Sequence, residues 1–275
     1  MPNYYFRLLF ILLPFSAIGY NPEDVSSFTE NYAYIAVKQM MEYDIPASII
    51  LAQAFLESKH GESILAQDSN NFFGIKAHKG WTGASVVMKS AEYKKQRRFV
   101  KESRFRKYDY PEDSWRDHSE FLVNGRRYSK LFEQGLFNYK GWAKGLLKAG
   151  YATDPGYAKK LIRLIEKHHF NDFDKVAFKI KHNIPIQLEA VHPDNHNAIR
   201  IVQATFNTLA INATERALLR TQREEEKKVR ESIHFEQVQE KELEENKFYV
   251  FLSNDSKPII RDIEKATLYK MKARK

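Results

Sequence analysis

The residue in this chain best suited to do chemistry is a glutamate at the end of an apolar helix. Glu57 lies in the run Leu51-Ala52-Gln53-Ala54-Phe55-Leu56-Glu57-Ser58, which is dominated by side chains that favour burial. A helix C-terminus is the negative pole of the helix dipole, and burial penalises the charge of a carboxylate, so both effects raise its pKa. A carboxyl kept protonated near neutral pH is what a general acid for glycoside cleavage requires. On position alone, a solvent-exposed glutamate at a helix edge fits equally well.

Other chemistries find little support. The chain has no cysteine, which excludes disulfides, thiolate metal sites, a cysteine nucleophile and a lipid anchor through cysteine. His78, His118 and the pair His168-His169 lack the second and third ligands that a metal site would need at suitable intervals, and they read as surface or structural residues. There is no glycine-rich phosphate loop and no internal repeat, so no cofactor and no metal is implied. Lys94-Lys95 and Arg97-Arg98 read as the solvated charge of a hairpin before they read as a contact for an anionic wall.

The elements that must position Glu57 are marked by caps and periodicity. Spaced apolar residues over 28–41 predict an amphipathic helix. Asp44 as a cap and Pro46 in a first turn then start a helix in which Ile49, Ile50, Ala52, Ala54, Phe55 and Leu56 are apolar nearly all round, so it should be central. Gly61 marks its end, and the polar stretch 67–71 leads into a turn at Phe72-Phe73-Gly74. Over 83–108, Val86, Val87, Met88, Phe99, Phe105 and Tyr108 stand among polar residues and predict a small antiparallel hairpin. Helical signals return over 111–123, over 138–149 with Gly150 as a stop, and after Asp154-Pro155. Tyr151 falls on the tight loop between those last two helices. The expected fold class is α+β, mainly α, with a helical lobe, a small β-hairpin lobe and a charged C-terminal extension.

Several ordered motifs then carry a family resemblance. Ile45-Pro46-Ala47-Ser48, Ala52-Gln53, Leu56-Glu57-Ser58, Asn70-Asn71-Phe72-Phe73-Gly74-Ile75-Lys76 and Lys79-Gly80-Trp81 resemble the glucosaminidases of glycoside hydrolase family 73. So do Phe105-Arg106-Lys107-Tyr108, Ser114-Trp115-Arg116-Asp117-His118, Trp142-Ala143-Lys144-Gly145-Leu146 and 149–155, and the likeness covers about 24–174. The resemblance implies a lysozyme-like fold that cuts peptidoglycan between N-acetylglucosamine and N-acetylmuramic acid, with Glu57 as the general acid. It implies a second carboxylate on the hairpin at Glu92, with Glu102 in reserve, and a tyrosine beside the acid at Tyr151. Asn71, Phe73, Gly74 and Trp81 are the matching candidates for sugar subsites, although Phe73 and Trp81 suit a core equally well. Carboxyls about 6.5–9.5 Å apart would imply inversion and about 5–5.5 Å a covalent nucleophile, while attack by the substrate's own acetamido group is a third route. Inversion or substrate assistance is favoured. The rivals are a lytic transglycosylase on the same fold, which should show a Gly-Leu-Met-Gln type segment that is absent here, and an inactive wall-binding protein.

With 275 residues and 43% apolar content, the chain can bury a sizeable core. Residues 1–19 read as a signal peptide, with Arg7 before a short apolar run and small residues after it, so the protein is expected in the periplasm, the cell envelope or outside the cell. A composition shift after Asp174 places the end of the catalytic domain (24–174) there. Residues 175–275 form an extension that is helical or partly disordered, with a charge-rich run over 220–247. The net charge of +9 predicts attraction to polyanions. No nucleic-acid-binding module is recognisable, so the expected partners are peptidoglycan glycan strands and anionic envelope polymers. The extension carries no repeat module for wall binding, and its partner is unassigned.

Overall fold

The structure, a computed structural model, describes residues 21–78, 80–94 and 97–252; the expected signal peptide and Lys95 lie outside them. The chain divides into one compact unit ending at Thr208 and a second beginning at Leu209. The architecture is mainly helical with one two-stranded antiparallel sheet, the expected class. In chain order the elements are α1 (Pro22–Tyr43), α2 (Ala47–Glu57), α3 (Ile64–Ser69), β1 (Ser85–Lys94), β2 (Arg97–Arg106), α4 (Pro111–Asn124), α5 (Tyr139–Lys148), α6 (Tyr157–Lys167), α7 (Asn171–Lys181) and α8 (His196–Leu252). A 3-10 stretch, Arg126–Gln134, joins α4 to α5.

The first unit is organised around α2, in which every residue from Ala47 to Phe55 is buried. A helix apolar on all sides must be enclosed by others, and α1, α5, α6 and α7 pack against it. Its start differs from expectation. Asp44 adopts a left-handed conformation (φ 54°) and returns its N–H to the Met40 carbonyl at 3.1 Å, so it closes α1 and does not cap α2. Pro46 takes the N-cap position, where it offers no side-chain acceptor. The missing acceptor comes from 126 residues away: the carboxylate of Asp174 in α7 accepts from the Ser48 N–H and from the Ser48 hydroxyl, each at 2.7 Å.

Asp174 therefore lies inside the packed unit, and the expected boundary at that residue does not coincide with the end of the packing. Helix α7 continues to Lys181, and Ala198, Ile199 and Val202 at the start of α8 are buried in the same core. The composition shift misleads because acidic residues of α7 are used internally. Asp172 accepts from the His192 N–H at 2.8 Å and so draws the proline-containing stretch onto the core. In the second unit, α8 continues to Leu252, and Leu209, Ile211, Leu218, Leu219 and Val229 are exposed.

Two features hold the hairpin to the helices. Ile75 and Ala77 run beside β2, with Arg106 N–H to the Ile75 carbonyl and Ala77 N–H to the Arg104 carbonyl, both at 2.9 Å. Asn71 then joins both segments: its amide donates to the carbonyls of Ile75 (3.0 Å) and Arg106 (2.8 Å), and its oxygen accepts from the Ile75 N–H (2.9 Å). Between α2 and Asn71 lies α3, started by Ser63 accepting from the Ala66 N–H at 3.1 Å and overlapping the polar stretch 67–71, for which no element was expected. At six residues, α3 is too short to show a helical period.

Replacing Asp174 by alanine leaves a buried helix N-terminus without its acceptor. The loss of two short charge-assisted bonds should lower unfolding stability by about 2–3 kcal/mol. Urea denaturation would show this as a lower midpoint with an unchanged slope, and an unmoved midpoint would remove Asp174 as the cap of α2.

Candidate active site

Glu57 is the last residue of α2, and the turn after it prevents the helix from continuing. The Ser58 N–H and hydroxyl both bond to the Ala54 carbonyl (3.0 and 2.6 Å), and the Ser58 hydroxyl accepts from the Gly61 N–H at 2.7 Å. Lys59, His60 and Gly61 are all left-handed, at φ 53°, 49° and 87°. That conformation costs about 1–2 kcal/mol for a residue with a side chain, and two such residues in succession mark a turn held by its surroundings.

The glutamate itself is partly exposed, yet its Oε1 is buried and has no hydrogen-bond partner. Burial raises the pKa of the carboxyl to about 8. Two weaker influences pull it down: a hydrogen bond with Tyr157 and the positive charge of Lys160. The Lys160 ammonium is also shared with Asp154 at 2.8 Å, which limits its effect.

Tyr157 opens α6 and is buried. Its hydroxyl accepts from Gln53 Nε2 at 3.0 Å, and Gln53 is itself buried one turn before Glu57. Tyr151, on the loop before α6, stacks on Tyr157 at 5.6 Å between ring centroids and is hydrogen-bonded to it. The Tyr151 hydroxyl also lies 2.9 Å from His118 Nε2. His118 is fully buried on α4, its ring stacked on Phe73 at 4.0 Å, and burial lowers its pKa to about 3, so it is neutral. The result is a continuous line of hydrogen bonds, His118 to Tyr151 to Tyr157 to Glu57.

Of the residues singled out from sequence, Glu57 and Tyr151 come together in this network. Gln53, Tyr157 and His118 complete it and were not anticipated. The available signal was Gln53, a large polar side chain at i−4 from Glu57 inside an otherwise apolar helix.

The four sugar-subsite candidates divide. Asn71 is buried and spends its amide on backbone groups, so it latches the hairpin and offers nothing to a ligand. Phe73 is 0% exposed between Trp115 and His118, and is a core residue. Gly74 supplies the left-handed turn (φ 62°) between Phe73 and Ile75. Trp81 keeps part of its ring exposed, with the Arg106 guanidinium 4.2 Å from the ring centroid, and lines a groove of about 450 Å³ with Tyr108, Asp113 and Asp117. On the hairpin, position 92 pairs with Phe99, but the Glu92 side chain lies outside the described residues. Glu102 is exposed and pairs with Lys89.

Residues 33–170 match the family model described as mannosyl-glycoprotein endo-beta-N-acetylglucosaminidase. The chain belongs to this glucosaminidase family, glycoside hydrolase family 73. The glucosaminidase domain is 38% identical over 145 residues to the exo-glucosaminidase LytG of Bacillus subtilis, a match covering 51% of this chain and 50% of LytG. It is 34% identical over 141 residues to the peptidoglycan hydrolase FlgJ of Vibrio cholerae, covering 50% and 42% of the two chains. The chain therefore spans about half the length of these relatives, or less. Among solved structures, the catalytic domain of the autolysin Auto from Listeria monocytogenes is 30% identical, with 57% of this chain and 91% of that one covered and a TM-score of 0.49.

The raised pKa of Glu57 has a thermodynamic consequence independent of activity. Between the ordinary value of 4.5 and about 8, the folded glucosaminidase domain holds a proton on Glu57 that the unfolded chain releases. This group's contribution to stability therefore declines as pH rises through that window. Glu57→Gln abolishes the titration and should be more stable than the parent by about 4 kcal/mol at pH 8, with the difference closing toward pH 4.5. Urea denaturation at the two pH values tests this, and a difference that does not change with pH would contradict it.

Proposed function

We propose that this glucosaminidase domain hydrolyses the β-1,4 bond between N-acetylglucosamine and N-acetylmuramic acid in peptidoglycan, with Glu57 as general acid. The observation that carries this reading is the carboxyl of Glu57, partly enclosed at the end of α2 and raised in pKa to about 8 while the residue keeps access to solvent. A carboxyl in that state holds its proton at neutral pH and can deliver it to a glycosidic oxygen. Family membership supports the glycan as substrate, as do the names of the relatives, an exo-glucosaminidase and a peptidoglycan hydrolase.

Protonation of the leaving oxygen produces an oxocarbenium-like transition state, which needs a nucleophile or a countercharge on the opposite face of the sugar. Glu92 is assigned that side of the reaction, either activating water or orienting the substrate's acetamido group. Tyr151 acts behind the acid, through Tyr157. Trp81, with its partly exposed ring, is assigned to stack on a sugar at the edge of the groove. Residues 1–19 export the protein to the envelope, where the positive charge of the chain favours anionic polymers.

Glu57→Gln should lower turnover on purified peptidoglycan by about 10²–10⁴-fold, the usual contribution of a general acid. Because the acid must be protonated, the parent's turnover should be sustained below pH 8 and fall about tenfold per unit above it. Undiminished digestion by the variant would sink the assignment of Glu57. Mass spectrometry of the released fragments tests the bond and the reaction: reducing N-acetylglucosamine ends are expected, whereas anhydromuramic ends would overturn hydrolysis in favour of a transglycosylase.

A further inference from the structure

The hairpin is held at one end. Among the described residues, no helix packs extensively along β1 or β2, and the strands join the rest of the domain at their base, near Ser85 and Arg106. Position 92 stands seven residues along β1 from Ser85, which at about 3.3 Å per residue is about 23 Å from the base. A tilt of about 10° at the base would carry position 92 through about 4 Å, whereas a misplacement of about 1 Å can already cost a reaction about 10²-fold.

The backbone bonds at the base do not settle that angle. Arg106 N–H to the Ile75 carbonyl and Ala77 N–H to the Arg104 carbonyl, both at 2.9 Å, run along one edge of β2. Bonds in such a row fix register, yet they leave rotation about the row as a hinge. Side chains supply a tie away from it. Arg106 belongs to the set of strand positions that includes exposed Val87 and Arg104, opposite buried Phe105. Its Nη1 meets Asp117 Oδ2 of α4 at 2.5 Å, and the Tyr108 hydroxyl donates to the same oxygen. The guanidinium lies 4.2 Å from the ring centroid of Trp81, whose Nε1–H donates to the Ala84 carbonyl at 2.9 Å. Gly83 lets the indole settle against the chain there, since a Cβ at that position would stand 2.5 Å from Cζ2 of Trp81. The side chains of Arg106 and Asp117 are 16% and 21% exposed, so the pair is screened less than a surface pair would be.

We propose that Asp117, through Arg106 and its platform Trp81, is a positioning residue that sets the tilt of the hairpin against α4, and so the place of position 92 relative to Glu57. Its carboxylate is committed to two donors inside the cluster, which makes it an anchor and not a ligand for substrate. Without it, Phe105 and the bonds of Asn71 still keep the register, but the hairpin swings at its base. The loss falls on the chemical step, because the second carboxylate is no longer held opposite the acid.

The inference rests on the reading of Glu92 as the group opposite Glu57, so its test separates geometry from turnover. The chain has no cysteine, and Val100 on β2 and Val123 on α4 are 61% and 45% exposed. Spin labels on Val100→Cys and Val123→Cys therefore report the hairpin against the helices by pulsed electron spin resonance. In Asp117→Ala the distance distribution should widen or shift by about 4 Å, and kcat on peptidoglycan should fall by about 10²-fold with little change in KM. Arg106→Lys, which keeps the charge and loses the planar group over Trp81, should act in the same direction more weakly. Asp117→Glu, which restores a carboxylate, should recover most of both. An unmoved distribution in folded Asp117→Ala overturns the proposal, and if that variant does not fold, an unmoved distribution in Arg106→Lys does so. A widened distribution with undiminished kcat overturns it as well. If the parent digests no peptidoglycan, the functional reading fails, while a distribution that widens in Asp117→Ala still leaves Asp117 as the anchor of the hairpin.

Discussion

The domain depends on the complete enclosure of α2. A helix buried from Ala47 to Phe55 has no solvent with which to satisfy its ends, so both must be satisfied by protein. At the N-terminus the acceptor is the carboxylate of Asp174, far along the chain. At the C-terminus the Ser58 hydroxyl and three successive left-handed residues turn the chain away. Those two solutions set where α2 begins and ends, and the second leaves Glu57 at a helix terminus, among apolar neighbours and at the negative end of the dipole. The chemistry of the site follows from how the core is closed.

Enclosure alone would raise the Glu57 carboxyl further, since burial penalises its charged form. Burial is opposed by the hydroxyl of Tyr157 and the charge of Lys160, both contributed by α6. Helix α6 therefore sets the balance, and its start is set in turn by the Asp154 carboxylate, which accepts from the Gly156 N–H at 2.8 Å and holds Lys160 at 2.8 Å. The segment from Tyr151 to Lys160 thus supplies the tyrosine beside the network, the tyrosine on the acid and the cation near it, which accounts physically for so dense a motif at that place in the chain.

How much of this was legible in the sequence varied with the range of the interaction. Local signals served well: the apolar run of α2, the alternation of the hairpin and the stops at Gly61 and Gly150 all have counterparts in the structure. Asp44 misled because an aspartate between two helices can close the first as readily as it can cap the second, and the choice was decided by Asp174, which no local pattern reveals. Asn71 and Phe73 belong to a recognisable motif, yet the reason for that motif here is structural: one latches the hairpin and the other carries His118. Gln53 stood out as a polar side chain in an apolar helix without showing what it bonds to, and Tyr157 is not unusual in its own segment. Their meaning appears only when α2 and α6 are packed together.

The register of the hairpin adds a constraint that composition could not supply. Strand side chains alternate between faces, and residues paired across an antiparallel ladder share a face. Position 92 is in phase with 86 and 88 and with their partners 105 and 103, the set that includes buried Phe105. Glu102 pairs with Lys89, three residues from 92, and so belongs to the opposite set, with exposed Val87 and Arg104. Positions 92 and 102 fall on opposite faces of the ladder, and a slip of one residue between the strands would bring them to the same face. The bonds of Asn71 to Ile75 and Arg106 hold the base of the hairpin against such a slip. Through its bonds to the backbone, Asn71 therefore helps to fix which strand positions share a face with buried Phe105.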